Sequence, residues 1–163
     1  MEQTGQMTDN DLHLIVVDAA NVIGSRPDGW WRDRAGAARR LLTSLTVYQQ
    51  HPDTHADITV ILEGAARAAA NPPTAADRPS AAGPPAVGRP PSAGSPDQPY
   101  GELDIVLASG SGDDTIVDVV RAAADEHQGR PISVVTADRA LRARVEALGA
   151  TAAGPRWLLD RLQ

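Results

Sequence analysis

The sequence predicts an α/β protein, a Rossmann-like three-layer sandwich with a mostly parallel sheet of four to five strands. Three observations lead there. Short apolar runs such as LHLIVV at 12–17 and DITVIL at 57–62 recur along the chain. Runs of this kind, bounded by polar turns, read as strands buried on both faces. Between them lie stretches with apolar residues at helical spacing. Strand and helix alternate, which implies parallel pairing through right-handed crossovers and helices on both faces of the sheet.

In order, Leu12–Val17 is the first strand and 32–50 a helix with Ala35, Ala38, Leu42 and Leu45 along one face. Asp57–Leu62 and Leu103–Ala108 are the second and third strands. The helix expected at 113–127 turns Ile116, Val117, Val120 and Ala124 inward. Ile132–Val135 is the fourth strand, followed by a helix at 139–148 that stops at Gly149. Thr151–Ala153 makes a short fifth strand, and 157–162 a closing helical turn.

One segment breaks the pattern. Nine of the 13 prolines fall in 64–100, where Val87 is the only large aliphatic side chain. Such a stretch buries too little apolar surface to offset the entropy of ordering it, and its Pro-Pro pairs forbid a continuous helix or a central strand. It reads as a mobile Pro/Ala/Gly-rich insertion, with 65–70 extending a short helical turn. About 126 residues remain, which suits one compact domain spanning 1–163 around the insert.

Composition excludes several chemistries. The 163 residues contain no Cys, so there is no disulfide framework, thiolate metal site or Cys nucleophile. All 15 cationic side chains are Arg, which removes a Walker lysine and Schiff-base chemistry; the loop SGSG at 109–112 therefore cannot open a P-loop. The net charge of −6 argues against binding nucleic acid by bulk counterion release, so any such contact needs a local Arg cluster. No apolar run is long enough to span a membrane and the first residues are acidic and polar, so a soluble, cytoplasmic protein is expected.

In open α/β sheets ligands gather at the carboxyl ends of the strands. Asp18, Glu63, the pair Asp113 and Asp114, and Asp138 all fall there. Converging carboxylates repel unless protonated or neutralised, and an oxygen-only donor set points to Mg²⁺ or Mn²⁺ rather than zinc. Each also has a structural reading: Ser111 to Asp114 as a capping box, Asp138 as a helix cap, Asp18 with Asn21 as a turn. His13, His51, His55 and His127 are scattered without ligand spacing and read as surface residues.

VVDAANVIGS at 16–25, SGSGDDTIVDVV at 109–120 and VVTADRALRARV at 134–145 resemble, in order and spacing, the three acidic blocks of NYN domains in the PIN-like nuclease superfamily. The resemblance covers the chain outside the insert. It implies a PIN-like fold and a metal-dependent endoribonuclease. Asp18 would be the central metal ligand, Asn21 would orient the scissile phosphate or a coordinated water, Asp113 would be the second acid with Asp114 as the adjacent alternative, and Asp138 would complete the site. Ala19 stands where the family usually has Gly, and Glu63 where Asp is common.

The stretch IGSRPDGWWRDRAGAARR after Asn21 is the densest basic region of the chain. Arg26 and Arg32, with Arg139 near Asp138, are candidate phosphate contacts. Trp30 is the candidate for stacking on an unpaired base, while Trp31 reads as a plug of the loop onto the first helix. Arg142 is placed to pair with Glu146 one turn on. RNA is the expected partner. Two alternatives stand beside the nuclease: a non-catalytic RNA-binding module of the same fold, and the toxin of a toxin–antitoxin pair with the insert as docking segment for a protein partner. Homo-oligomerisation is left open.

Overall fold

The computed structural model describes residues 13–70, 100 and 103–163; Leu12 and most of the predicted insert, 71–99, lie outside the described residues. Five strands, β1 (His13–Asp18), β2 (Ala56–Leu62), β3 (Asp104–Leu107), β4 (Ile132–Val135) and β5 (Thr151–Ala153), form one sheet in the order β3-β2-β1-β4-β5. Every pairing is parallel. The helices are α1 (Ala19–Gly24), α2 (Arg34–Gln49), α3 (Gly112–Glu126), α4 (Arg139–Glu146) and α5 (Pro155–Leu159), with two 3-10 segments at Trp30–Arg32 and Gly64–Ala70.

Strand pleating divides the core into two layers. From β1, Ile15 and Val17 enter a cluster with Val22 of α1, Leu41, Leu42 and Leu45 of α2, and Leu158 of α5. Leu14 and Val16 face the other way, onto Ile116, Val117 and Val120 of α3 and Leu141 and Val145 of α4. Burying each such side chain contributes roughly 1.5–3 kcal/mol, so the two apolar faces hold the sandwich together. The inward face of α2 is shifted from the expected one: Ala37 and Leu41 are buried, whereas Ala35 is half-buried.

Because β1 lies between β2 and β4, the chain leaves it toward one sheet edge and returns toward the other. That reversal opens a crevice at the carboxyl ends of β1 and β4. The sequence did not reveal α1, since six residues are too few for a periodic signal. The segment read as a mobile insertion is ordered at both margins. Residues Gly64–Ala70 form a 3-10 helix with Ala69 buried, and the Tyr100 hydroxyl donates to the Ala69 carbonyl at 2.8 Å. Thr46 Oγ1 in turn donates to the Tyr100 carbonyl at 3.1 Å. Among the described residues no helix is long and apolar enough to cross a membrane.

Candidate active site

Register dictates what stands beside Asp18. Val17 pairs with Val135 across β1 and β4, so the next residues on each strand, Asp18 and Thr136, meet at the carboxyl end. Both are buried, and Thr136 Oγ1 donates to Asp18 Oδ2 at 3.0 Å. Asp18 also caps α1: Asn21 donates its side-chain amide to Oδ2 at 2.5 Å and its backbone amide, more weakly, to Oδ1 at 3.4 Å. The turn expected from Asp18 and Asn21 thus forms, as the start of a helix. All these donors are neutral. Burial pushes the Asp18 carboxyl above the ordinary carboxylate range; the bonds from Asn21 and Thr136 oppose that rise, and the charge of Asp113 adds to it.

Thr136 does a second job. Its hydroxyl oxygen accepts from the Asp138 amide at 3.1 Å, so one buried side chain links the two acidic blocks. Asp138 caps α4, its Oδ1 accepting from the amides of Ala140 and Leu141 at 2.8 and 3.0 Å. The structural reading of Asp138 therefore holds, and it stands at the crevice as well. Thr136 is the residue that sequence reasoning missed. A threonine ending an apolar run reads as a strand former, and its role depends on a neighbour 118 positions away.

The second acidic block is arranged differently from the expected capping box. Ser111 precedes α3 but its side chain makes no capping bond. Glu63, at the end of β2, takes the place instead, accepting from the Gly112 amide at 2.7 Å. The approach is close enough that a Cβ on residue 112 would lie 2.5 Å from Glu63 Oε2, so a larger residue there would displace the Glu63 carboxylate. Asp113 and Asp114 then diverge. Asp114 pairs with Arg144 of α4 at 2.9 Å, which replaces the expected Arg142–Glu146 pair; that pair is absent among the described residues. Asp113 has no such pair among the described residues. Burial raises its carboxyl, the charges of Asp138 and Glu63 raise it further, and Arg144 opposes them.

Asp18, Glu63, Asp113 and Asp138 thus come from four separate segments at the carboxyl end of the sheet, and Asp113 is near enough to the other three for their charges to interact. Yet among the described residues no three such side chains come close enough together to hold a metal ion jointly. Glu63 and Asp138 are engaged with helix amides, and Asp18 with Asn21 and Thr136.

The basic loop lies beyond α1. Trp30 is half-buried against the core, and Trp31 is 58% exposed. This corrects the expectation that Trp31 is the plug of the loop; the ring packed against the core is that of Trp30. Arg26 is half-buried, whereas Arg32 and Arg139 are exposed. His13 also departs from expectation: it is half-buried and hydrogen-bonded to Ser133 Oγ at 2.7 Å, at the opposite end of the sheet.

A five-stranded parallel sheet in this order, flanked by helices on both faces and carrying acids at its carboxyl end, is a Rossmann-like, PIN-like α/β sandwich. Among solved structures the chain is similar to Rae1 (YacP) from Bacillus subtilis. The W164L mutant superposes with a TM-score of 0.62 at 15% identity, covering 93% of this chain and 75% of that one. A second Rae1 structure gives 0.59 at 14% identity, covering 93% and 74%. No protein-family model and no curated protein sequence matches the chain.

Proposed function

We propose that the chain is a divalent-metal-dependent endoribonuclease of the NYN/PIN-like type, hydrolysing RNA phosphodiester bonds at the carboxyl-end crevice. The observation that carries this reading is Asp18, a buried carboxylate held only by neutral donors and raised further by a second acid across the crevice. Burying a charge without a counter-charge is expensive, and a fold retains one where it serves a ligand. The three acidic blocks of the sequence and the fold shared with Rae1 support the same reading.

The donor set is all oxygen and suits Mg²⁺ or Mn²⁺. Mg²⁺ keeps several waters and commonly uses one or two carboxylates plus substrate phosphate oxygens, so a three-carboxylate cage is not required. One or two of Asp18, Asp113 and Asp138 would hold the ion directly and the rest through its waters, with Glu63 at the margin; Asp114, tied to Arg144, is left to stabilise the α3–α4 contact. When bound, the ion supplies stabilisation of charge on the reacting phosphate and acidifies an attacking water. The protein's own part is positional. Thr136 and Asn21 fix the Asp18 carboxylate, the α4 amides fix Asp138, and the Gly112 amide fixes Glu63. Arg26, Arg32 and Arg139 would hold flanking phosphates, and Trp30 would keep the basic loop in place.

A second reading, an RNA-binding module that does not cleave, is favoured by the lack of three converging carboxylates among the described residues. One experiment separates the two: incubation of end-labelled single-stranded and hairpin RNA with the protein in Mn²⁺, in EDTA, and with the Asp18→Asn variant. Cleavage lost in both controls establishes the metal-dependent nuclease. RNA bound but uncut in Mn²⁺ favours the binding module and overturns catalysis.

A further inference from the structure

The loop between α1 and α2 carries an exposed tryptophan that the fold does not use. The 3-10 turn Trp30–Arg32 is closed by two backbone bonds, from the Arg32 amide to the Gly29 carbonyl at 3.0 Å and from the Asp33 amide to the Trp30 carbonyl at 3.2 Å. Gly29 enters it with φ +77°, a conformation that favours glycine, and Asp33 leaves it by capping α2 through the Gly36 amide at 2.8 Å. The turn is therefore pinned at both ends, and Trp31 sits at its centre.

The two rings have divided their roles. Trp30 packs on the core and lies 3.8 Å from where a Cβ on Gly24 would stand, at the end of the helix that Asp18 caps. The Arg34 guanidinium lies 5.5 Å above the Trp30 ring. Trp31 meets Trp30 at an interplanar angle of 85°, with centroids 6.2 Å apart, so the rings do not stack on each other. Trp31 stays 58% exposed, one of three large apolar side chains exposed among the described residues. Leaving so much indole in water forgoes burial energy, and Arg26, Arg32 and Arg34 surround it in sequence. An aromatic face amid arginines is what a flexible anionic polymer with planar bases requires. The loop that carries Trp31 follows α1, the helix that Asp18 caps, so the platform comes next along the chain after the central acid.

We propose that Trp31 is the stacking platform for an unpaired RNA base next to the acidic crevice, with Trp30 as its support. The inference rests on the nuclease reading above for the identity of its ligand. It makes single-stranded RNA the preferred substrate, because a paired base presents no free face.

The test uses the full chain. Binding of labelled single-stranded RNA is measured by fluorescence anisotropy in the non-cleaving Asp18→Asn background, with Trp31→Ala and Trp31→Phe added in turn. The same RNA with abasic sites serves as a control, and cleavage is measured with Asp18 intact. The expected result is a loss of affinity of about ten- to a hundredfold for Trp31→Ala, with Trp31→Phe retaining most of it. Abasic RNA should bind Trp31→Ala and its parent alike, and in cleavage KM should rise more than kcat falls. If the wild type cleaves RNA and Trp31→Ala binds and cleaves equally well, the platform is overturned while the nuclease reading stands. Equal losses on intact and abasic RNA overturn it too, since Trp31 would then be structural. If the wild-type chain neither binds nor cleaves RNA, the nuclease reading fails and the platform with it.

Discussion

The two ends of the sheet treat their carboxylates in opposite ways. At the amino end Asp57 is paired with Arg130, whose side chain is only 8% exposed, Asp104 accepts from Thr59, and His13 bonds to Ser133. A cleft of about 350 Å³ opens there, lined by Ile58, Val119, Ala123 and His127 among others, and among its lining residues the Asp57 charge is met by that of Arg130. At the carboxyl end Asp18, Glu63, Asp113 and Asp138 gather, and Arg144, whose charge opposes the rise of Asp113, is committed to Asp114. Compensated acids stabilise a fold, whereas uncompensated ones cost stability and persist where they serve a ligand.

The sharpest way to break that contrast is to neutralise one acid at a time. Asp18→Asn should reduce cleavage by more than the roughly 10- to 100-fold typical of losing an outer partner of a metal site. It should leave the fold intact, because an amide oxygen can still accept from Asn21 and Thr136. Asp113→Asn should come close to that loss, while Asp114→Asn, which breaks only the pair with Arg144, should change kcat by less than about threefold. Comparable losses for the two neighbours in a steady-state cleavage assay would refute their division of roles.

Thr136→Val comes next. It keeps the shape but orphans the Asp138 amide and frees the Asp18 carboxylate, so it should cost about 1–3 kcal/mol in urea unfolding. Activity should fall by about 10- to 100-fold, and Thr136→Ser should restore most of both.

The pH dependence sharpens the comparison further. Asp18 and Asp113 have folded-state pKa values raised mainly by burial. Between the ordinary carboxylate value and the raised one, the native state binds more protons than the unfolded state. Their contribution to stability therefore falls as pH rises through that window and stays low above it. In EDTA, Asp18→Asn should be more stable than the wild type near neutral pH, and the gap should close as pH falls through that window toward the ordinary carboxylate range. A gap that widens on acidification would contradict the assigned cause. The smallest effect is expected at the other end: Arg130→Ala should cost about 1 kcal/mol of stability, Asp57 being half exposed, and leave cleavage rates unchanged.

Much of this architecture was legible in the sequence, for identifiable reasons. The β4 and β5 spans matched because β-branched and small apolar runs bounded by polar residues leave no other reading. The strand-end positions of Asp18, Asp113 and Asp138 followed from the same boundaries. Thr136 and the Glu63–Gly112 bond could not be read, since each depends on which strands become neighbours, which no local pattern encodes. Trp31 was expected as the plug for a different reason. Adjacent residues in a single 3-10 turn carry no periodicity to say which faces the core.

The bond between the Tyr100 hydroxyl and the Ala69 carbonyl has a thermodynamic corollary. It joins two points 31 positions apart in sequence, with α2 bracing Tyr100 through Thr46. The chain between them is therefore joined at its two ends, and the entropic cost of closing a flexible segment grows only with the logarithm of its length, about 0.6 kcal/mol per doubling. Shortening 71–99 to roughly a quarter should thus alter folding free energy by only about 1 kcal/mol. With the neck intact, the length of this segment can vary almost independently of the frame that carries the acids.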